Sequence, residues 1–477
     1  MRDSDFRWAG QILLVTCLML AVLVTDAGGQ TSRPVRRPNV IVLLIDDMGY
    51  ADLSCFGQTK IKTPNIDRMA SEGIRFTQYY VNSPICSPSR TALLTGQYPA
   101  RWKITSFLEN REANTRRGMA SWLDPKAPSV ARLLHDAGYA TGHFGKWHMG
   151  GQRDVGDAPL IQEFGFDKSI TSFEGLGDRY LPLLDAFDGK PAEKLGMGSP
   201  KLGRGEITWV DRSKLTTAWV DRAIEFIESS SKSDKPFYVN VWPDDVHSPF
   251  FPPKALRGDG QKETLYLGTV KAMDDQVAKL FDAVRRDPKL RDNTLIIIAS
   301  DNGPEPGAGS AGPFKGFKGN LYEGGIREPL IVWAPGLMAK DAVGTTNESV
   351  MVAMDLLPSI ATIAAVPVPA EYKPDGEDRS AILLGKAKSD RARPIFWVRP
   401  PDRPGPRQHP FPDLAARDGK WKLTCDYDGA NAKLFDLEAD IKEASDVAAE
   451  HKVIVERMKT PLMAWFATLP PPPTMPR

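Results

Sequence analysis

The chain has 477 residues, 42% hydrophobic and 25% charged, an ordinary globular composition with room for one large domain and a smaller one. Its 61 basic and 60 acidic residues leave a formal net charge of +1, so no overall field draws it to nucleic acid or to an anionic membrane, and any preference for anions has to be built locally. Four cysteines in so long a chain exclude a disulfide-stapled scaffold.

Residues 1–30 read as a secretory signal: Arg2 and Arg7 flank a short n-region, and the apolar run from Ile12 to Val24 is too short to span a bilayer comfortably. Thr25-Asp26-Ala27-Gly28 supplies small residues for cleavage. An exported protein, periplasmic or secreted and without a stable membrane anchor, is the expectation. The mature chain keeps Cys55, Cys86 and Cys425.

The continuous run Pro38-Asn39-Val40-Ile41-Val42-Leu43-Leu44-Ile45 has the pattern of a strand buried on both faces of a parallel sheet. Asn65 to Ile74 is predicted as a helix capped by Asn65 and closed by Gly73, and Ser129 to Ala137 as another that stops at Gly138. Ala140 to Phe144 is predicted as a strand; Lys214 to Ser229 and Glu263 to Val284 carry helical periodicity. Lys235 to Val241 and Thr294 to Ala299 are two further buried strands. The segments 100–125, 150–210 and 400–415 have weak periodicity and many Gly, Pro and charged residues, and are predicted as loops, some lining a cleft. After residue 390 come short strands at Pro394 to Val398, Trp421 to Thr424 and Ala432 to Leu437, then a helix over Glu443 to Phe466. The expected fold is α/β: a large mixed, mostly parallel sheet sandwiched by helices over 31–390, with a smaller C-terminal antiparallel sheet plus helix over 391–477.

Polar residues gather just after the predicted strands: Asp46 and Asp47, Lys146 and His148, His247, Asp301 and Asn302. In open α/β sheets ligands bind beyond the carboxyl ends of the strands, which makes these one site. Adjacent carboxylates at Asp46-Asp47 repel unless a cation lies between them, and Asp301-Asn302 offers a carboxylate and an amide oxygen. Four oxygen donors with no His or Cys close by in the chain select a hard ion, Ca2+ first and Mg2+ second. In Cys86-Ser87-Pro88-Ser89-Arg90, Pro88 suits the first turn of a helix. Cys86 then sits where the helix N-terminus favours an anion, with Arg90 one turn on as a fixed cation. Gly145-Lys146-Trp147-His148 sets a cation and an imidazole two apart in an extended segment, so that both point the same way.

Cys-x-Pro-x-Arg followed by Thr95-Gly96 resembles the signature of the type I sulfatases of the alkaline phosphatase superfamily, whose cysteine is converted to formylglycine. The resemblance runs from about residue 38 to 440 and includes Gly145-Lys146-Trp147-His148, His247-Ser248-Pro249 and the segment from Lys318-Gly319 to Glu323-Gly324-Gly325-Ile326-Arg327. It implies metal ligation by Asp46, Asp47, Asp301 and Asn302, with the modified Cys86 completing the shell. Cys86, Arg90, Lys146, His148, His247 and Lys318 are then the catalytic set, with Glu323 and Arg327 anchoring their loop. Lys315 lies close enough to be confused with Lys318, and only the spacing to Glu323 separates them; Glu328 stands where that family has an apolar residue. The implied activity is hydrolysis of sulfate esters of carbohydrates by a formylglycine made from Cys86 with the help of a maturation enzyme. A phosphonate monoester or phosphodiester hydrolase of the same superfamily is the alternative, and a catalytically dead sulfoglycan-binding protein a third reading.

Overall fold

Every residue of the run Asn39–Ile45, which forms strand β1, is buried, and its side chains divide between two cores. Val40, Val42 and Leu44 face one, Ile41, Leu43 and Ile45 the other. This division explains why the run lacks polar alternation: each side chain leaves water, worth about 1.5–3 kcal/mol for a residue of this size. A computed structural model describes residues 37–185 and 190–471; the proposed signal segment, residues 1–30, lies outside them.

The remaining strands are β2 (Ile74–Tyr80), β3 (Ala140–Gly145), β4 (Lys168–Thr171), β5 (Arg179–Leu184), β6 (Glu193–Lys194), β7 (Ile207–Asp211), β8 (Phe237–Trp242), β9 (Thr294–Ser300), β10 (Arg327–Trp333), β11 (Thr345–Asn347) and β12 (Met351–Val352). Among the described residues these make one 12-stranded sheet in the order β11-β2-β10-β9-β1-β8-β3-β4-β5-β6, with β12 beside β2 and β7 beside β5. Strands β9, β1, β8, β3 and β4 run parallel, whereas β10 is antiparallel to both β9 and β2. The helices Leu215–Lys232 and Lys262–Arg286 cover one face through Trp219, Val220, Met273 and Leu280. The other face is covered by Leu93 and Leu94 of the helix Cys86–Thr95, Leu133 and Leu134 of Val130–Asp136, and Leu357 and Ile360 of Leu356–Ile363.

A second sheet, β13 (Ile395–Val398), β14 (Leu414–Asp418), β15 (Trp421–Cys425) and β16 (Lys433–Asp436), is antiparallel throughout and carries the helix Lys452–Phe466. Its Trp397, Leu414, Leu423 and Leu434 belong to the same core as β1, and Trp397 Nε1 donates to the Val81 carbonyl at 2.7 Å. No helix of the described residues is long and apolar enough to cross a membrane.

The expected α/β sheet with its smaller antiparallel partner is present; several local expectations need correction. The first helix runs Pro64–Ser71, not Asn65 to Ile74: Pro64 takes its first turn, and Ile74 opens β2. Asn65 caps nothing; its Nδ2 donates to Asp274 at 2.9 Å. The segment 150–210 contains β4, β5, β6 and β7, and 400–415 runs into β14. The last helix starts at Lys452, nine residues after Glu443, which is buried in a turn.

Candidate active site

Strands β1, β3 and β9 end at Ile45, Gly145 and Ser300, and being parallel they deliver the next residues to one edge of the sheet. Asp46 and Asp47 leave β1, Lys146 leaves β3, and Asp301 and Asn302 leave β9. Cross-bonds lock these ends: the Asp301 amide donates to Ile45 O, and the Asp47 amide to Asp301 Oδ1, each at 3.2 Å. Gly145 has φ 123, and a Cβ there would come within 2.1 Å of Trp242 O, so only glycine lets Lys146 N–H reach that carbonyl at 2.9 Å. The sequence expectation of an extended Lys146-Trp147-His148 fails, because His148 is left-handed at φ 55. Lys146 and His148 nevertheless converge, as both reach Glu174, while Trp147 packs in the core against Phe164 and Phe166.

Carboxylate oxygens of Asp46, Asp47 and Asp301 lie within 4.8 Å of one another, all buried. Arg90, on the helix that begins at Cys86, is fully buried and reaches two of them: its guanidinium donates to Asp46 Oδ1 at 3.0 Å, to Asp301 Oδ2 at 2.9 Å and to the Lys146 carbonyl at 2.9 Å. Lys146 Nζ donates to Asp46 Oδ2 at 2.8 Å and Lys318 Nζ to Asp47 Oδ2 at 2.6 Å. Burial works to raise Asp46, but Lys146 and Arg90 hold it well below the usual carboxylate range. Burial, with Asp46 and Asp47 pressing against the pull of Arg90, pushes Asp301 up to about 7. Asn302 Nδ2 faces Asp47 Oδ1 at 2.7 Å, while its Oδ1 is buried without a hydrogen-bond partner. Turning that amide would aim a fourth oxygen at the carboxylates, an arrangement only a cation rewards. The residues present therefore fit a divalent hard ion.

Cys86 Sγ lies 4.0 Å from Asp47 Oδ1 and within 4.8 Å of ligand atoms of Asp46 and His247. Burial pushes its thiol well above the ordinary value, so an unmodified Cys86 is a poor nucleophile. His247 points Nε2 to within 3.6 Å of Asp47 Oδ2, its Nδ1 faces Ser248 O at 2.6 Å, and its side chain is 31% exposed, which sets it at the open side of the cluster. Gly319 N–H donates to Pro84 O at 2.8 Å and thereby ties the Lys318 loop to the Cys86 loop. Lys315, its neighbour in sequence, lies instead over the Tyr322 ring at 4.1 Å. Thus Asp46, Asp47, Cys86, Arg90, Lys146, His247, Asp301, Asn302 and Lys318 surround one small volume, and His148 stands behind Lys146.

Comparison with known proteins gives this geometry its context. The Sulfatase family model matches residues 38–366, about two thirds of the chain. The chain belongs to the sulfatase family. It is 34% identical over 395 residues to the pig N-acetylgalactosamine-6-sulfatase, covering 80% of this chain and 72% of that one. It is 28% identical to the N-acetylgalactosamine-6-O-sulfatase of Bacteroides thetaiotaomicron, covering 91% and 94%. The solved structure of Ps i-CgsB in complex with k-i-k-neocarrahexaose is similar to it at a TM-score of 0.73 and 26% identity, covering 90% and 93% of the chains. Like its relatives, the chain is a sulfuric ester hydrolase.

Two acidic residues of this sulfatase site were not legible beforehand. Glu174, 8% exposed, sits 3.0 Å from Lys146 Nζ and 3.1 Å from His148 Nδ1. In the sequence it is a lone Glu in Ser172-Phe173-Glu174-Gly175, with no spacing motif to mark it. Glu443 lies in the C-terminal part, with its Oε2 accepting from the Glu323 amide at 2.7 Å. Fully buried Lys422 bridges Glu323 at 3.0 Å and Glu443 at 2.9 Å, so β15 braces the loop that carries Lys318.

Proposed function

We propose that this sulfatase hydrolyses sulfate esters carried on carbohydrate, with Cys86 matured to formylglycine and one Ca2+ held by Asp46, Asp47, Asp301 and Asn302. The observation that supports it most is the charge balance at the strand ends. Four buried carboxylates, Asp46, Asp47, Glu174 and Asp301, face the three fixed cations Arg90, Lys146 and Lys318. One divalent ion turns that deficit of one positive charge into an excess of one. A sulfate monoester carries a single negative charge and answers that excess, whereas a phosphate monoester dianion overshoots it.

When present, the ion and the hydrated formylglycine supply charge stabilisation and a hydroxyl nucleophile. The protein's own side chains do the rest. Arg90 fixes Asp46 and Asp301 against each other and keeps the cluster from opening. Lys146 and Lys318 bring ammonium groups to the oxygens of the bound sulfate, where charge develops in the transition state. Asp301, whose carboxyl burial pushes up to about 7, accepts the proton of the attacking hydroxyl. His247, open to the substrate side, protonates the departing oxygen with Lys318 beside it, and His148 takes up the second proton when sulfate leaves.

Maturation by a formylglycine-generating enzyme and export through residues 1–30 belong to the same proposal, as does a division at about residue 390 between the catalytic part and the part that braces it. The relatives named for N-acetylgalactosamine 6-sulfate make that sugar the first substrate to offer. The test is a comparison of turnover on 6-sulfated N-acetylgalactosamine and other sulfated mono- and oligosaccharides with turnover on phosphate mono- and diesters. Faster hydrolysis of a sulfated sugar is expected; preference for a phosphodiester or phosphonate would overturn the reading.

A further inference from the structure

His148 has a hydrogen-bond acceptor at each ring nitrogen, and in the neutral ring only one of them is served. Nε2 lies 3.0 Å from the Leu108 carbonyl in good hydrogen-bond alignment, which puts the single N–H there and leaves the lone pair on Nδ1. Nδ1 is 3.1 Å from Glu174 Oε2; both atoms are fully buried and neither has a hydrogen-bond partner. Glu174 Oε2 is answered by Lys146 Nζ at 3.0 Å, but the Nδ1 lone pair that faces it has no donor and is repelled by the carboxylate. One proton placed between them would satisfy both.

We propose that Glu174 and His148 form a proton-accepting pair, with Glu174 as the positioning residue that stabilises the proton His148 takes at Nδ1. The inference rests on the reading of the site as a sulfate-ester hydrolase given above. The second hydroxyl's proton, released as sulfate leaves, goes to Nδ1, the neutral ring becomes imidazolium, and the Glu174 carboxylate, already ion-paired with Lys146, gains a second cationic partner. The charged groups facing His148 are Glu174, which favours the extra proton, and Lys146 and Arg90, which oppose it. Glu174 in turn faces His148, Lys146, His247 and Asp46. Burial pushes the His148 ring down to about 3, and Glu174, with His148 and Lys146 outweighing its burial, is held at about 2, so at neutral pH the pair rests without its proton. Lys146 shares the same Oε2 at 3.0 Å, so Glu174 also sets where that ammonium stands.

The test uses the matured, Ca2+-loaded protein and inorganic sulfate as the probe. Calorimetric binding of sulfate at mildly acid pH, repeated in buffers of different ionisation enthalpy, counts protons taken up; the wild type is expected to take up a fraction of a proton that Glu174→Gln does not. On a sulfate ester, Glu174→Gln should lose about 10²-fold in kcat with KM little changed, and Glu174→Asp should recover part of the loss. If Glu174→Gln does not fold, His148→Gln carries the same proton count. A Glu174→Gln protein with wild-type kcat or wild-type proton uptake would overturn the inference. Because the proton count needs no turnover, its failure is distinct from a wild type that releases no sulfate.

Discussion

His143 lies on β3 with its ring edge-on to Trp147, Phe166 and Trp242, fully buried, and its Nε2 has no hydrogen-bond partner. Burial, aided by Arg90, pulls it from 6.5 down to about 3. Below pH 6.5 the unfolded chain binds a proton there that the folded chain refuses until about pH 3, so stability is complete above pH 6.5 and falls as pH drops through that window. The loss per ring is about 1.4 kcal/mol per pH unit, or roughly 2 kcal/mol between pH 6.5 and 5. His143→Gln is expected to narrow the stability difference between those two pH values by that amount in urea unfolding; an unchanged difference would mean that the ring is protonated in the fold. At this scale the site was legible wherever a residue sat in a motif. Spacing to Glu323 singled out Lys318 over Lys315, and the structure puts Lys318 on Asp47. Glu174 was invisible because its place depends on a loop fold that its neighbours in sequence do not announce.

Strands β1, β8 and β9 were readable because burial on both faces leaves them apolar throughout. Strand β2, Ile-Arg-Phe-Thr-Gln-Tyr-Tyr, alternates instead, and its first residue was absorbed into the preceding helix. Strands β5 and β7 lie toward a sheet edge and are only partly buried, so their mixed composition looked like loop. Strand β10 carries a different surprise: Glu328 is fully buried, neither carboxyl oxygen has a hydrogen-bond partner, and it lies opposite Tyr79, whose hydroxyl is likewise unpartnered. Burial, with Asp52, Asp301 and Asp47 adding to it, raises this carboxyl well above the ordinary value and so favours its neutral form. Replacing it with an apolar residue removes an unsatisfied polar group. Glu328→Leu is therefore expected to stabilise the fold by roughly 1–3 kcal/mol in urea unfolding. A loss of stability would show that the carboxyl has a partner in solution.

Across the whole molecule, a near-neutral chain has separated its charges to build one strongly polar point at the ends of parallel strands. The four carboxylates there outnumber the cations Arg90, Lys146 and Lys318 by one, so the ion should also act as a structural ligand. Raising free Ca2+ to about 100 times its dissociation constant should add about 2.7 kcal/mol to stability, seen as a higher melting temperature that chelation reverses. Asp301→Asn should blunt that response. The C-terminal sheet takes part at a distance, through Lys422 bridging Glu323 and Glu443 behind the Lys318 loop. The most direct measurement of the central claim is release of inorganic sulfate from a sulfated sugar by protein whose Cys86 peptide has the mass of formylglycine, with and without Ca2+ and beside Cys86→Ala. The account predicts release only when both the aldehyde and the ion are present. Equal release by Cys86→Ala, or full release after the ion has been stripped, would contradict it.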